Sequence, residues 1–148
     1  MAKSNYQSDL SLNERIMVNI VRIGELFKKD SSAIFKNYGL TFPQYNVLRV
    51  LDGSETGQNT VTSIGKVLLV TCANMTGIAK RLEKNGFLLR KRDPKDERVT
   101  LLEITPKGRQ TLRNISESKD KNIERYLEDF TAEEKDFLLK RLRILLKK

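Results

Sequence analysis

Between Thr71 and Arg109 the sequence TCANMTGIAKRLEKNGFLLRKRDPKDERVTLLEITPKGR places ten Lys/Arg against five Asp/Glu. That charge density suits recognition of a polyanion, not the making and breaking of covalent bonds. Its first half carries Asn74, Thr76, Lys80, Arg81 and Lys84, side chains that reach bases or phosphates. Asn bonds adenine bidentately, and Arg or Lys bonds guanine. Ala73 and Gly77 lie one helical turn apart among them and are small enough to let a helix axis approach a groove floor. The second half gathers Arg90, Lys91, Arg92, Lys95 and Arg98 around a charged turn. There they can follow a phosphate backbone or enter a narrow minor groove, whose negative potential attracts arginine.

Each half has a plainer reading alone. A basic helix face is often only a solvated one, and edge hairpins commonly carry charge for solubility. A basic helix followed directly by a basic hairpin is the rarer combination, and it points to a nucleic-acid duplex. The chain has no histidine, so the commonest general base and the commonest metal ligand are both missing. No carboxylate pair or reactive lysine stands out, and neither an enzyme activity, a metal nor a cofactor is expected. The single cysteine, Cys72, excludes an internal disulfide framework and fits a reducing compartment.

The elements that must hold these residues are legible in outline. At about 100° per residue, Met75, Ile78, Ala79 and Leu82 share one helix face and are expected in a core. Ala73, Gly77, Lys80 and Lys84 oppose them, flanked by Thr76 on one side and by Asn74 and Arg81 on the other. Cys72 falls toward the core side, where a small packed residue is expected. Thr71 caps this helix and Gly86 ends it as a left-handed cap. A shorter helix through Ile64, Val67 and Leu68, capped by Thr60 or Thr62, precedes it across a tight turn, giving a helix-turn-helix. Residues 87–92 and 99–104 are β-prone runs around the turn Asp93-Pro94-Lys95-Asp96-Glu97.

Upstream, a helix is expected over about 12–37, and Gly39 ends that segment. A capping box Thr41-x-x-Gln44 opens another helix, followed by a polar loop at 52–59. Downstream, Thr105-Pro106 opens a long helix to about Asp129, and the capping box Thr131-x-x-Glu134 opens the last. The first and last helices both have more apolar surface than one contact requires. Leu12, Ile16, Ile20, Ile23, Phe27 and Ile34 form a stripe that Met17, Val18, Val21 and Leu26 overflow. Leu138, Leu142 and Leu145 lie on one side of the last helix, Phe137 and Ile144 on another.

At 148 residues the chain suits one domain or compact subunit, and its net charge of +9 agrees with a polyanionic partner. No apolar run approaches the roughly 18 residues of a membrane span, and the N-terminus lacks a secretory signal. A cytoplasmic protein without a membrane partner is expected.

Several stretches resemble the MarR family of winged-helix regulators. Asp96-Glu97-Arg98 followed by Leu101-Leu102-Glu103-Ile104-Thr105 is similar to the family's wing pattern, with Ile104 where a leucine is usual. Asn74-Met75-Thr76-Gly77 with Arg81-Leu82-Glu83-Lys84-Asn85-Gly86-Phe87-Leu88 resembles its recognition helix and exit. Gly39-Leu40-Thr41 with Gln44-Tyr45-Asn46-Val47-Leu48 is similar to its entry into the DNA-binding lobe.

The resemblance implies a mainly α fold with a small β-wing: a winged helix-turn-helix lobe at 39–110 between dimerisation helices at 1–38 and 111–148. It implies a bacterial homodimer, a repressor or related regulator on a pseudo-palindromic double-stranded DNA operator. Arg98 would enter the minor groove, Asp96 would hold the wing by pairing with an arginine, and Thr71 would meet phosphate. The expected DNA-contacting residues are therefore Thr71, Ala73, Asn74, Thr76, Gly77, Lys80, Arg81 and Lys84 from the helix. Arg90, Arg92, Lys95, Asp96 and Arg98 join them from the wing. Many members also respond to a small aromatic or phenolic effector; Tyr38 and Tyr45 are the candidates for such a cleft, with a core or interface role the favoured reading of both. A protein-docking module that has lost specific DNA binding is the alternative reading.

Overall fold

Among the described residues there are six α-helices, and each begins on a serine or threonine whose hydroxyl accepts a hydrogen bond from the backbone N–H three residues on. Each such cap contributes about 1 kcal/mol by satisfying a donor that the helix itself cannot. The computed structural model describes residues 9–148, so the first eight residues of the expected 1–38 unit lie outside the described residues. The helices are α1 Leu12–Lys36, α2 Phe42–Asp52, α3 Val61–Leu68, α4 Cys72–Lys84, α5 Pro106–Leu127 and α6 Ala132–Leu146. Both expected capping boxes are present, Thr41 with Gln44 and Thr131 with Glu134. Thr60, not Thr62, caps α3.

Three antiparallel strands complete the lobe: β1 Gln58–Thr60, β2 Leu88–Arg92 and β3 Thr100–Ile104, in the order β1-β3-β2. Residues 52–59, expected to be loop alone, therefore contain a strand. A 3-10 turn at Glu55–Gly57 delivers Gln58 opposite Glu103 and Thr60 opposite Leu101. The physical reason is non-local: β2 occupies one edge of β3, and the other edge presents unpaired backbone groups that Gln58–Thr60 satisfies.

The core lies where α2, α3, α4 and α5 meet the sheet. Val47, Leu48 and Leu51 of α2, Ile64 of α3, Met75 and Leu82 of α4, Leu88, Leu102 and Ile115 are almost wholly shielded. Met75, Ala79 and Leu82 occupy the expected inward face, with Ile78 packed at its margin. Gly65 sets how tightly the helix-turn-helix closes, because a Cβ there would lie 2.8 Å from the Val70 carbonyl oxygen. At the far end of α4, Gly86 adopts φ +81°, the left-handed conformation that stops the helix and turns it into β2.

The terminal helices behave differently. No residue of α6 is buried, and α1 buries only Ser31 and Phe35. Leu12, Val21, Ile23 and Leu26 on α1, and Phe137 and Leu146 on α6, are all more than half exposed. The expected surplus of apolar surface at both ends is a feature of the folded chain. One junction ties α1 to the lobe's outgoing helix: Asp30 accepts hydrogen bonds from Tyr126 and, at 2.8 Å, from Arg125. The Phe27 ring meets Tyr126 edge-on, with centroids 5.8 Å apart. Hydrogen bonds from Tyr126 and then Arg125 hold the Asp30 carboxyl below its ordinary range.

Candidate nucleic-acid interface

The basic face of α4 is built from its N-cap outward. The Thr71 hydroxyl accepts from the Asn74 N–H at 3.3 Å, which starts the helix at an exposed cap. Thr71, Ala73, Asn74, Thr76, Lys80, Arg81 and Lys84 are exposed, and Gly77 is half-buried. The Thr76 hydroxyl donates back to the Cys72 carbonyl at 3.0 Å and keeps its lone pairs for an outside donor. Cys72 is exposed, not packed as its helical angle suggests. It occupies the first position of α4, where helical angle alone does not bury it.

Ala73 and Gly77 also line one side of a cleft. Together with Asn74 and Arg81 they face Phe42, Pro43 and Asn46 of α2 and Lys28 of α1 across about 550 Å³. A Cβ on Gly77 would meet nothing within 4 Å. The two tyrosines assigned to an effector cleft are not brought together. Tyr45 is buried, stacked on Phe35 at a centroid distance of 3.9 Å, and reaches a different cleft beside Arg49 and Lys119. Burial pushes its hydroxyl pKa up, against the opposing charge of Lys119 and Arg49. Tyr38 donates to the Asn114 carbonyl at 3.2 Å and borders a third, separate groove.

The wing is a five-residue hairpin pair closed by an ordered turn. Leu88 pairs with Ile104 and Arg92 with Thr100, after which the Asp93 N–H donates to Val99 and the Val99 N–H to Asp96. At the tip Asp96 grips Arg98 twice, from Nε at 3.1 Å and Nη2 at 3.3 Å, and also accepts from the Arg98 N–H at 3.1 Å. The arginine side chain is nonetheless 91 % exposed. The contact orients the guanidinium without covering it, and the Arg98 side chain holds the Asp96 carboxyl below its usual range.

Cations expected to act alike are sorted by the fold. Lys91 pairs with Glu103, and Arg90 with Glu83 of α4 at 2.9 Å. Sequence reasoning passed over Glu83 and Glu103, because their partners lie across a helix exit and a strand pair. Among the described residues, Lys80, Arg81, Lys84, Arg92 and Lys95 have no carboxylate within ion-pair distance. These, with the tip guanidinium of Arg98, form the accessible positive surface of helix and wing.

The carboxylates of α4 and the wing fix a pH dependence. Lys91 and then Gln58 depress Glu103, Arg90 depresses Glu83, and Arg98 depresses Asp96. Depressed carboxylates contribute stability that is complete above their unfolded values near 4, and it is lost as pH falls through the lower folded values. With no histidine to titrate between them, DNA affinity at fixed salt is expected to change less than about twofold from pH 6 to pH 8. A fluorescence titration across that range checks this, and a tenfold change would contradict it.

The comparisons with known proteins agree with this geometry. The family described as transcriptional regulator SarA/Rot matches residues 29–128, more than half of the chain. An uncharacterized HTH-type transcriptional regulator of Bacillus subtilis (strain 168), YkoM, is 30% identical over 146 residues, covering 94% of this chain and 91% of that protein. Among solved structures, the transcriptional regulator BldR from Sulfolobus solfataricus superimposes with a TM-score of 0.82 at 25% identity, over 95% of this chain and 99% of that one. Sco3205 from Streptomyces coelicolor, a MarR family transcriptional regulator solved in complex with DNA, superimposes at 0.85 over 97% of this chain and 92% of its own. Its 20% identity speaks for the fold alone. Among the described residues no single helix is long and apolar enough to cross a membrane. With a helix-turn-helix, a three-stranded wing and these relatives, the chain belongs to the SarA/Rot family of transcriptional regulators and has the winged-helix fold of the MarR type, a family of regulators and not of enzymes.

Proposed function

We propose that the protein represses transcription as a homodimer on a pseudo-palindromic operator. Residues 39–110 read DNA, while 1–38 and 111–148 join the two subunits. One observation carries this reading: Lys80, Arg81 and Lys84 of α4 and Arg92 and Lys95 of the wing have no carboxylate within ion-pair distance among the described residues, and Arg98, though paired with Asp96, stays 91 % exposed at the tip of the same lobe, in the order that a major groove and its neighbouring minor groove require. In this reading Asn74, Thr76, Lys80 and Arg81 meet base edges, while Thr71, Lys84, Arg92 and Lys95 meet phosphates. Arg98, held by Asp96, enters the minor groove. Sco3205, of the same fold, is seen with DNA, which supports the same use of these elements here. The exposed apolar faces of α1 and α6 support the dimer, since surface of that kind on a single chain marks an interface.

An effector has a natural place in the cleft between α1, α2 and α4. Its wall is largely apolar, with Lys28 and Arg81 to receive a carboxylate or phenolate. Ala73, Asn74, Gly77 and Arg81 belong both to this cleft and to the DNA-reading face, so an occupant and the operator would compete for the same helix.

Selection of bound fragments from the organism's own genomic DNA tests the reading. The expected result is an inverted repeat whose half-sites lie about one helical turn apart, roughly 10 base pairs. Equal recovery of random and genomic duplexes at physiological salt would instead favour a protein-docking module.

Gly77→Ala gives a sharper check, because its two effects should have opposite signs. The added methyl meets nothing in the free protein and should stabilise the helix by about 1 kcal/mol. Against the groove floor the same methyl should weaken operator binding by about tenfold. Thermal melting and a DNA titration on the same preparation measure both. A variant that gains stability and keeps full affinity would remove Gly77 from the interface.

A further inference from the structure

Glu83 is an anomaly on a surface meant for a polyanion. It projects from the recognition helix toward the wing, where a groove of about 320 Å³ is lined by Glu83, Arg90, Lys91, Arg92 and Thr100. If α4 sits in a major groove and the wing tip in the adjacent minor groove, the sugar-phosphate strand between them must cross this groove. A carboxylate there repels phosphate, yet Glu83 is held firmly. It accepts from the Arg90 N–H at 3.1 Å, from Nε at 2.9 Å, and pairs with the second guanidinium nitrogen at 2.9 Å. The contact spans two elements, joining the last turns of α4 to the middle of β2.

We infer that the Glu83–Arg90 pair is a positioning element for DNA selectivity: it locks recognition helix and wing into one body and withholds Arg90 from the phosphates. This role rests on the DNA-binding reading above. A phosphate crossing the groove then meets the Arg92 guanidinium and the Thr100 hydroxyl, since Lys91 is engaged by Glu103. An unrestrained Arg90 would add a contact blind to sequence, because phosphate contacts strengthen binding to every duplex alike. A hinge between helix and wing would also let each reading element adjust to a wrong site independently. Both effects narrow the gap between operator and random DNA.

The test compares wild type, Glu83→Gln, Arg90→Lys and the exchanged pair Glu83→Arg with Arg90→Glu. Each is titrated with the selected operator and a random duplex across a salt series, with circular dichroism to confirm folding. Glu83→Gln is expected to bind random duplex more tightly. The slope of log affinity against log salt should steepen by about 0.9 as one more phosphate is engaged, and the operator-to-random ratio should fall about tenfold. Arg90→Lys keeps the charge but loses the planar fork, and is expected to lose selectivity in the same direction. The exchanged pair should return the ratio toward wild type.

An unchanged ratio and slope in Glu83→Gln would overturn the role. Equal weakening on both duplexes without a change of slope would do so too, reducing the pair to a structural contact. A wild type without preference between the duplexes removes the DNA reading and this role with it. A selective wild type indifferent to Glu83→Gln removes the role alone.

Discussion

Replacing Ile16 and Phe137 together by glutamate is expected to yield a folded monomer whose operator affinity is lower by about 10²–10⁴-fold, the gain that two linked half-sites provide. Both side chains are exposed in the single chain, at 46% and 59%, and neither belongs to the buried cluster of the lobe. Glutamate at these positions should therefore leave α2 to α4 and the wing intact. In a dimer the same carboxylates would be driven into an apolar interface, where an unpaired charge is strongly disfavoured. Sedimentation equilibrium reports the subunit state and a DNA titration the affinity, with circular dichroism as the control for folding. A variant that stays dimeric would place the subunit contact elsewhere. A monomer with full affinity would show that one lobe suffices.

Arg98→Ala is the second large effect, an expected loss of about 10- to 100-fold in operator binding, as for one well-placed base or groove contact. The fold should not register the change, because the side chain is 91 % exposed and, among the described residues, pairs with Asp96 two residues away. Lys147→Ala is the matched control: it removes one positive charge from the end of α6. A general electrostatic contribution would make the two losses equal, whereas a groove contact makes the Arg98 loss much the larger. Asp96→Asn should fall between them, since it leaves the guanidinium present but no longer oriented. Equal losses for Arg98→Ala and Lys147→Ala would remove the wing tip from the interface.

What could be read from the chain divides along a physical line. Thr41 with Gln44 and Thr131 with Glu134 were legible because a capping box is closed within four residues. The inward face of α4 followed from helical period, and Met75, Ala79 and Leu82 occupy it. Features set by distant partners were not legible. Gln58–Thr60 has no strand signature of its own and becomes a strand only because β3 offers a free edge more than forty residues later in the chain. Cys72 has a core-facing angle but, at the first position of α4, stays exposed. Arg90 looked like one more free cation in a basic run, and only the turn at Gly86 brings Glu83 within reach. Tyr45 fits either a ligand cleft or the core on sequence alone, and stacking on Phe35 takes its ring into the core.

The base of the wing carries one further consequence. Where the hairpin leaves and rejoins the helices, the Thr105 N–H donates to the Phe87 carbonyl at 3.1 Å and its hydroxyl to the Gly86 carbonyl at 2.7 Å. Lys107 caps the Asn85 carbonyl at 2.6 Å while lying over the Phe87 ring. The base of the hairpin is thus stitched shut and its strands belong to the core, so only the turn beyond Arg92 and Thr100 is a detour from the lobe. Length added at the tip costs only loop entropy, about 0.6 kcal/mol for each doubling. The tip is therefore the part of the molecule most open to evolutionary tinkering, free to lengthen toward a new minor-groove sequence while the helices that carry it stand still.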